Sequence, residues 1–301
     1  MFEYANFRER GINLLGDLHC HTKLSDGSLG LEELIMLAKN RGVETIAITD
    51  HDCLAGTVRG KIIGKRYGVN VIPGVEISAF DTERNRKVHM LAYLCDSPDR
   101  LEGLCKRISL ARRRAGQYMT LRASKKYPIT PEFVLKCATG STNLYKQHIM
   151  RALMEAGFAT EIYGDLYKSL FTPGGSNYIG LDIKYPDAKE VLEEIHEAGG
   201  IAVLAHCGAY NNYELLEELI ELGLDGVEVW HPRHSEEDVQ RLLKIADKHG
   251  LVRTGGSDFH GFYNDKPRSI GECGVDEEII DELLSYKSKK KRQEKKAAAG
   301  E

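Results

Sequence analysis

The chain has 301 residues, 42% hydrophobic and 29% charged, which is typical of a globular protein with one large domain or a domain carrying an insertion. Its net charge is −4, but residues 287–301 hold seven Lys or Arg and two Glu, so residues 1–286 carry −9. The negative charge of residues 1–286 excludes a general nucleic-acid binder. No apolar run reaches the roughly 18 residues of a membrane span.

The first segment and the cysteines indicate the compartment. Residues 1–17 lack the basic start and apolar core of a signal peptide. The seven cysteines are scattered and form no C-x-x-C pair, which is typical of reduced thiols. We therefore expect a cytoplasmic protein that does not bind a membrane.

Short apolar runs rich in β-formers alternate with amphipathic helical segments. Strands are predicted at 14–21, 43–49, 69–78 and 88–94, with helices at 31–40 and 58–67. The alternation resumes with helices at 188–198, 213–222 and 235–249 and the strands IAVLAH, DGVEVW and LVRTGGSD. Such a pattern predicts a parallel sheet covered on both faces. About seven strands predict a closed or nearly closed barrel, with an open doubly wound sheet as the alternative.

The segment 99–178 breaks this alternation. Its pattern is helical at 99–126, 131–138, 143–156 and 162–170, and it ends in the turn-rich TPGGSN. We expect a helical insertion subdomain at 99–178 between barrel parts 12–98 and 179–286. The basic, low-complexity tail 287–301 is predicted to be disordered.

Nearly every predicted strand ends in a histidine or a carboxylate. Because strand ends of a parallel barrel open on one face, these side chains are expected to converge. His19 and His21 are two residues apart on a strand, so both can face one ion. Imidazole and carboxylate without thiolate suit Mn²⁺, Zn²⁺ or Fe²⁺. The candidate metal ligands are His19, His21, Asp26, His51, Glu76, His89, His206, Asp258 and His260.

The other histidines fall within predicted helices. His148, His196 and His249 are expected to have packing or surface roles.

Five separated motifs occur in a characteristic order: DLHCHTKLSDGS, ITDHD, GVEIS, AH and GSDFHG. Together they resemble the polymerase and histidinol phosphatase (PHP) family of phosphoesterases over about residues 17–261. The resemblance implies a distorted (β/α)7 barrel with two or three divalent ions. It assigns one ion to His19, His21, Glu76 and Asp258, a second to Asp26, His51 and His260, and a third to Glu76, His89 and His206.

The insertion is similar to that of one subgroup, which includes 3′,5′-nucleoside bisphosphate phosphatases and enzymes that trim RNA from its 5′ end. That subgroup often has H-P-G-R-Y after the late-strand histidine, whereas this chain has Ala209 in place of the Arg. Arg233 and His234 are alternative phosphate ligands, unless they belong only to a polar turn before the next helix. Arg113, within the basic run Lys106–Lys126, is another, unless the run is a solvated helix face.

The expected reaction is metal-dependent hydrolysis of a phosphomonoester. The expected substrate is a nucleotide, such as a 3′,5′-nucleoside bisphosphate or a short 5′-phosphorylated RNA or DNA end. Asp258 and His234 are the catalytic candidates, with His234 or a water protonating the leaving oxygen. No obligate protein partner is evident.

Four other functions are alternatives to this one. They are histidinol phosphate phosphatase, a metal-dependent amidohydrolase, a non-catalytic metal-binding module and a polymerase-associated module. The amidohydrolase is disfavoured because no lysine stands at a middle strand end, and the polymerase module because the chain has no polymerase region.

Overall fold

The computed structural model describes residues 16–299. Seven strands form one sheet in chain order. They are β1 (Gly16–Cys20), β2 (Thr45–Ile48), β3 (Asn70–Asp81), β4 (Arg86–Tyr93), β5 (Ile201–Leu204), β6 (Gly226–Trp230) and β7 (Val252–Gly255). The predicted barrel start at residues 12–15, the N-terminal segment and residues 300–301 of the tail lie outside the described residues.

The sheet is mixed, so the prediction of a wholly parallel sheet is wrong. Strands β1 to β3 are parallel, as are β5 to β7, but β4 is antiparallel to both neighbours. The reason is the short connection between β3 and β4, since a parallel crossover needs a dozen or more residues. Asp81 accepts hydrogen bonds from the backbone N–H of Glu83 and Arg84 at 3.1 Å each, and Asn85 has φ +53°. These features build a tight hairpin turn.

The first and last strands approach each other at the end of the sheet. Cys20 and Phe259 form a parallel bridge, and the His21 N–H donates to the Phe259 carbonyl at 2.9 Å. The sheet is thus a nearly closed barrel, and the predicted barrel architecture is confirmed. The open doubly wound alternative is wrong.

Helices cover the outside of the barrel. They are α1 (Leu31–Asn40), α2 (Thr57–Tyr67), α7 (Ala188–Glu197), α8 (Cys207–Tyr210), α9 (Tyr213–Glu221) and α10 (Glu236–His249). Local chemistry sets their ends: Ser235 and Asp238 exchange side-chain hydrogen bonds to backbone N–H groups in a capping box, and Gly250 ends α10 with φ +64°.

The segment between β4 and α7 forms a second helical layer with its own apolar core. It contains a 3₁₀ turn (Pro98–Leu101) and helices α3 (Glu102–Lys126), α4 (Pro131–Cys137), α5 (Lys146–Glu155) and α6 (Asp165–Phe171). A Cβ at Gly116 would lie 2.5 Å from the Leu144 carbonyl oxygen, so glycine allows α3 to approach closely there. We call the segment 99–178 the insertion; its limits stay a prediction.

The C-terminal segment is a helix where disorder was predicted. Helix α11 (Glu277–Ala299) packs Ile279, Ile280 and Leu283 against the bottom of the barrel and runs on into the basic tail. Asp225 accepts a hydrogen bond from the Lys290 ammonium at 2.7 Å. Lys, Arg, Gln, Glu and Ala all favour helix, so a docked first half propagates into the tail. Within residues 16–299 no helix is both long and apolar enough to cross a bilayer.

Candidate active site

All nine candidate metal ligands lie at one mouth of the barrel. They belong to strands β1, β3 and β4 or to residues that follow β1, β2, β5 and β7. His89 lies near the start of β4, and it reaches the same mouth because that strand runs opposite to its neighbours. The burial is deep: His19 and His21 are completely buried, and Glu76 is 1% exposed.

Site 1 consists of His19, His21, Glu76 and Asp258, whose ligand atoms all lie within 4.8 Å of one another. The Nε2 atoms of His19 and His21 lie 3.3 and 3.2 Å from Glu76 Oε2. The same two nitrogens lie 3.7 and 3.3 Å from Asp258 Oδ1. This set equals the first set implied by the resemblance.

Site 2 consists of His21, Asp26, His51 and His260, again within 4.8 Å. Asp26 Oδ1 lies 3.3 Å from His260 Nε2 and 3.8 Å from His21 Nδ1. The His21 and His260 rings stack with centroids 4.0 Å apart. The resemblance implied Asp26, His51 and His260, and the structure adds His21.

Site 3 is formed around Glu76 by His51 and His89. His89 Nδ1 lies 2.8 Å from Glu76 Oε1, and His51 Nδ1 lies 3.1 Å from Oε2. His206, the third ligand implied by the resemblance, points Nε2 at Glu76 Oε1 at 2.9 Å. Glu76 therefore contacts ligands of all three sites, as expected of a bridging carboxylate.

Buried atoms without hydrogen-bond partners test whether cations fit here. Burying a polar atom unpaired costs free energy, so native proteins rarely leave several together. Six of the seven at this mouth lie on residues of sites 1 and 2, where a divalent cation would satisfy them. Within residues 16–299 the unpaired buried atoms at this mouth are His19 Nε2, His21 Nδ1 and Nε2, His51 Nδ1, His206 Nδ1, Asp26 Oδ1 and Glu76 Oε2.

The electrostatics of the cluster favour the same chemistry. Burial by itself raises the pKa of Asp26, Glu76 and Asp258, but the surrounding imidazoles outweigh it and hold all three pKa values well below the usual range. Burial lowers the pKa of His21, but Asp258 and Glu76 outweigh it and raise the value to about 10. The carboxylates are thus ionised at neutral pH, and an arriving cation would displace the proton of His21.

A buried glutamate outside the recognised motifs supports two of the candidate metal ligands. Glu228 Oε1 accepts a hydrogen bond from His19 Nδ1 at 2.8 Å, and Oε2 accepts one from the His206 backbone N–H at 2.8 Å. Glu228 could have been predicted from the sequence, because it is a carboxylate in the middle of the apolar strand DGVEVW. Such outer partners fix the orientation and tautomer of a metal-binding histidine.

Two aspartates within the recognised motifs act in a similar way. Asp17 accepts hydrogen bonds from the Ser257 N–H and hydroxyl at 2.9 and 2.6 Å, which ties β1 to the loop of Asp258. Asp50 accepts two from Thr22, at 2.8 and 2.7 Å, and so shapes the loop that leads to Asp26.

A pocket of about 150 Å³ opens above the ligands, and two arginines line it. Arg233 donates to Asp265 Oδ2 at 3.2 Å, and Arg268 donates to Asp265 Oδ1 at 2.6 Å. Arg268 also lies 3.7 Å from Asp258 Oδ2. Arg233 was a candidate from the sequence, whereas Arg268 was missed because the turn-rich segment after the last motif has no periodicity. The other lining residues include Gln147, Tyr163, Tyr210 and Tyr263.

Two of the predicted substrate residues lie elsewhere. His234 does not line the pocket, and both its ring nitrogens are occupied: Nε2 accepts from the Gly208 N–H at 3.1 Å, and Nδ1 donates to the Val229 carbonyl at 2.8 Å. It therefore cannot serve as the proposed acid or phosphate ligand in this arrangement. Arg113 is exposed on α3 and donates to the Thr142 carbonyl at 3.5 Å. Successive helix residues are rotated by about 100°, so Arg113 points to solvent.

The three histidines assigned to packing or surface roles lie away from the mouth. His148 is buried and accepts a hydrogen bond from the Tyr145 N–H at 3.2 Å, and burial lowers its pKa to about 4. His196 lies 3.0 Å from Asp225, and His249 is exposed at the end of α10.

Known proteins resemble the chain over most of its length. A phosphoribosyl 1,2-cyclic phosphate 1,2-diphosphodiesterase of Eggerthella lenta is 41% identical over 84% of this chain and 97% of its own. The 5′-3′ exoribonuclease Rnm of Escherichia coli is 32% identical over 81% and 84%. A 3′,5′-nucleoside bisphosphate phosphatase of Chromobacterium violaceum is 31% identical over 81% and 86%.

Solved structures have the same fold. A candidate metal-dependent phosphoesterase of Bifidobacterium adolescentis superposes with a TM-score of 0.82 at 33% identity, over 91% of this chain and 96% of its own. A Chromobacterium violaceum chain described as an amidohydrolase, with sulfate bound and no metal, superposes with a TM-score of 0.74 at 28% identity, over 90% and 96%.

Barrel and mouth together define a hydrolase of the metal-dependent phosphoesterase class. Residues 17–202 match the model of the PHP domain, and the chain belongs to the PHP family. It is an enzyme that hydrolyses phosphoesters, as the sequence predicted.

Proposed function

We propose that the chain releases phosphate from a small phosphorylated ribose compound, using two or three divalent cations bound at sites 1 to 3. The observation that carries this proposal is the juxtaposition of the buried, unpaired ligand atoms with two guanidinium groups in one pocket. Cations would satisfy the unpaired ligand atoms, and the positively charged guanidinium groups would bind an anionic substrate.

The proposed cations are Mn²⁺, Zn²⁺ or Fe²⁺. Site 1 offers two imidazoles and two carboxylates, and site 2 offers three imidazoles and one carboxylate. Mixed nitrogen and oxygen sets of this kind suit these transition metals better than Ca²⁺ or Mg²⁺, which prefer oxygen alone. When bound, the ions would polarise phosphate oxygens and lower the pKa of a water nucleophile.

The phosphate group of the substrate that is not hydrolysed is proposed to contact Arg233 and Arg268. Asp265 holds both guanidinium groups at one edge of the pocket, at 3.2 and 2.6 Å. Arginine suits phosphate because its planar donors match two phosphate oxygens at once. Tyr163 and Tyr210 line the same pocket and offer an apolar surface to a sugar or a base.

Ribose is the chemistry that the relatives have in common, since their names specify a phosphoribosyl cyclic phosphate, a nucleoside bisphosphate and RNA. Arg113 gives no support to a polymer substrate, because it lies outside the pocket. We therefore propose a substrate with one ribose unit and at least two phosphoester bonds or phosphate groups. We propose that the reaction takes place in the cytoplasm.

A substrate panel with Mn²⁺-loaded protein tests the proposal. It contains a 3′,5′-nucleoside bisphosphate, phosphoribosyl 1,2-cyclic phosphate, a 5′-phosphorylated oligoribonucleotide, histidinol phosphate and p-nitrophenyl phosphate. One of the two small ribose compounds should exceed histidinol phosphate in kcat/KM by at least about tenfold, because one charge-assisted contact contributes about 1.5–3 kcal/mol.

Variants of the arginines supply the control. Arg233→Ala should erode the preference and spare p-nitrophenyl phosphate, whereas Arg113→Ala should change neither, since it lies outside the pocket. Equal turnover of histidinol phosphate and the ribose compounds would contradict the proposed substrate class. Retention of full activity after complete metal removal would contradict the proposed metal chemistry.

A further inference from the structure

The insertion makes hydrogen bonds to two barrel loops that carry ligands of site 2. The first contact is with the loop before Asp26. Thr142 donates its N–H and its hydroxyl to the Leu24 carbonyl at 3.0 and 2.9 Å, and the Ser141 hydroxyl donates to the Ser25 carbonyl. These bonds hold the loop from outside the barrel.

Gln147, at the start of helix α5, contacts the ligand itself. Its Nε2 donates to Asp26 Oδ2 at 3.2 Å. The other oxygen of Asp26, Oδ1, faces His260 and His21 and has no hydrogen-bond partner among residues 16–299. Gln147 therefore fixes the carboxylate in the orientation that presents Oδ1 to site 2.

Arg112 makes the second contact, beside His51. Its Nη2 donates to Asp52 Oδ2 and to the Ser78 hydroxyl, both at 2.8 Å. Asp52 follows His51 directly, has φ +52°, and donates its N–H to the Glu76 carbonyl at 2.9 Å. The guanidinium group lies 4.9 Å from the centre of the ring of Tyr145, which also belongs to the insertion. The turn that aims His51 is thus held from α3.

Site 1 is supported differently. Its ligand His19 is held by Glu228, and the loop of Asp258 is held by Asp17, both of which belong to the barrel. Within the described part of the chain, no hydrogen bond or ion pair joins the insertion to His19, His21, Glu76 or Asp258.

We propose that the insertion sets the affinity of site 2 for its ion through two positioning residues, Gln147 and Arg112, whereas it makes no direct hydrogen bond to a ligand of site 1. This inference rests on the metal assignment of the proposed function. It gives the insertion a role in metal occupancy in addition to any contact with substrate.

The test is a Mn²⁺ titration of metal-stripped protein, in which free Mn²⁺ is followed by electron paramagnetic resonance without substrate. The parent should bind at least two ions. Gln147→Leu keeps the size of the side chain and removes the donor, so it should weaken one ion by about 10- to 100-fold and leave the others within about threefold. Arg112→Lys should weaken the ion that His51 binds, and the melting temperature of the stripped protein checks its fold.

Arg114→Ala is the matched control, because it lies on the same helix as Arg112 but is exposed. It should bind every ion as the parent does. Parental affinities in Gln147→Leu would overturn the inference, and so would an equal loss at all ions. A parent that binds fewer than two ions would refute it together with the metal assignment. A parent that binds its ions but hydrolyses no ribose phosphate would refute only the proposed substrate.

Discussion

Replacing Glu228 with glutamine should weaken site 1, because Glu228 holds the ligand His19. The carboxylate accepts two hydrogen bonds at once, from His19 Nδ1 and from the His206 N–H, each at 2.8 Å. Glutamine has one acceptor oxygen, so one of these buried donors would face its NH₂ group. Burial raises the pKa of Glu228, but His19 and His231 outweigh it and hold the value at about 2. The substitution therefore also removes a full charge at neutral pH.

The magnitude follows from the lost contact. A buried donor left unpaired costs about 1–3 kcal/mol, which corresponds to about 5- to 150-fold in affinity if the loss falls on the metal-bound state. Losses of about 10- to 100-fold are typical for such outer partners of a metal site. We therefore expect Glu228→Gln to weaken one Mn²⁺ by about 10- to 100-fold.

The assay is a Mn²⁺ titration of metal-stripped protein, with urea unfolding of the same sample. Glu221→Gln, at an exposed position on α9, is the matched surface control and should leave both measurements unchanged. Parental Mn²⁺ affinity in Glu228→Gln would refute the reasoning, since it would show that His19 keeps its orientation without the carboxylate.

Two further predictions concern stability and activity. Burial raises the pKa of Asp225, but hydrogen bonds from His196, the Ala202 N–H and Lys290 outweigh it and lower the value to about 2. Because the pKa is depressed in the folded state, the ionised carboxylate contributes about 2 kcal/mol to the free energy of unfolding above pH 5 and about half of that at pH 3. Urea unfolding of Asp225→Asn at the two pH values measures this contribution. A loss of stability that is equally large at both pH values would contradict the prediction. Asp258→Ala should lower kcat more than about 100-fold, whereas His249→Ala should leave kcat within a few-fold of the parent. Equal losses in the two variants would contradict the assignment of Asp258 to the metal ligands and of His249 to the surface.

The sequence by itself determined the seven barrel strands, most of the covering helices and the chemistry of the site. Helix α1 was predicted at its observed limits, Leu31–Asn40, because its apolar residues recur with helical spacing. The candidate ligands could be predicted because histidines and carboxylates stand at successive strand ends, which a barrel brings to one mouth. Both signals are local in the chain: periodicity within about ten residues, and residue type at the end of an element.

Only the tertiary structure decided which of these residues act together. The direction of β4, and with it the place of His89, depends on a four-residue turn whose geometry needs the neighbouring strands. Glu228 was missed because its partner His19 lies in another motif, 209 positions away. Arg112 and Arg113 look alike in a basic run, yet one is paired with Asp52 and the other is exposed. The residue that packs opposite decides whether such a side chain is paired or exposed. A pattern along one chain segment carries no information about a residue that packs against it from another segment.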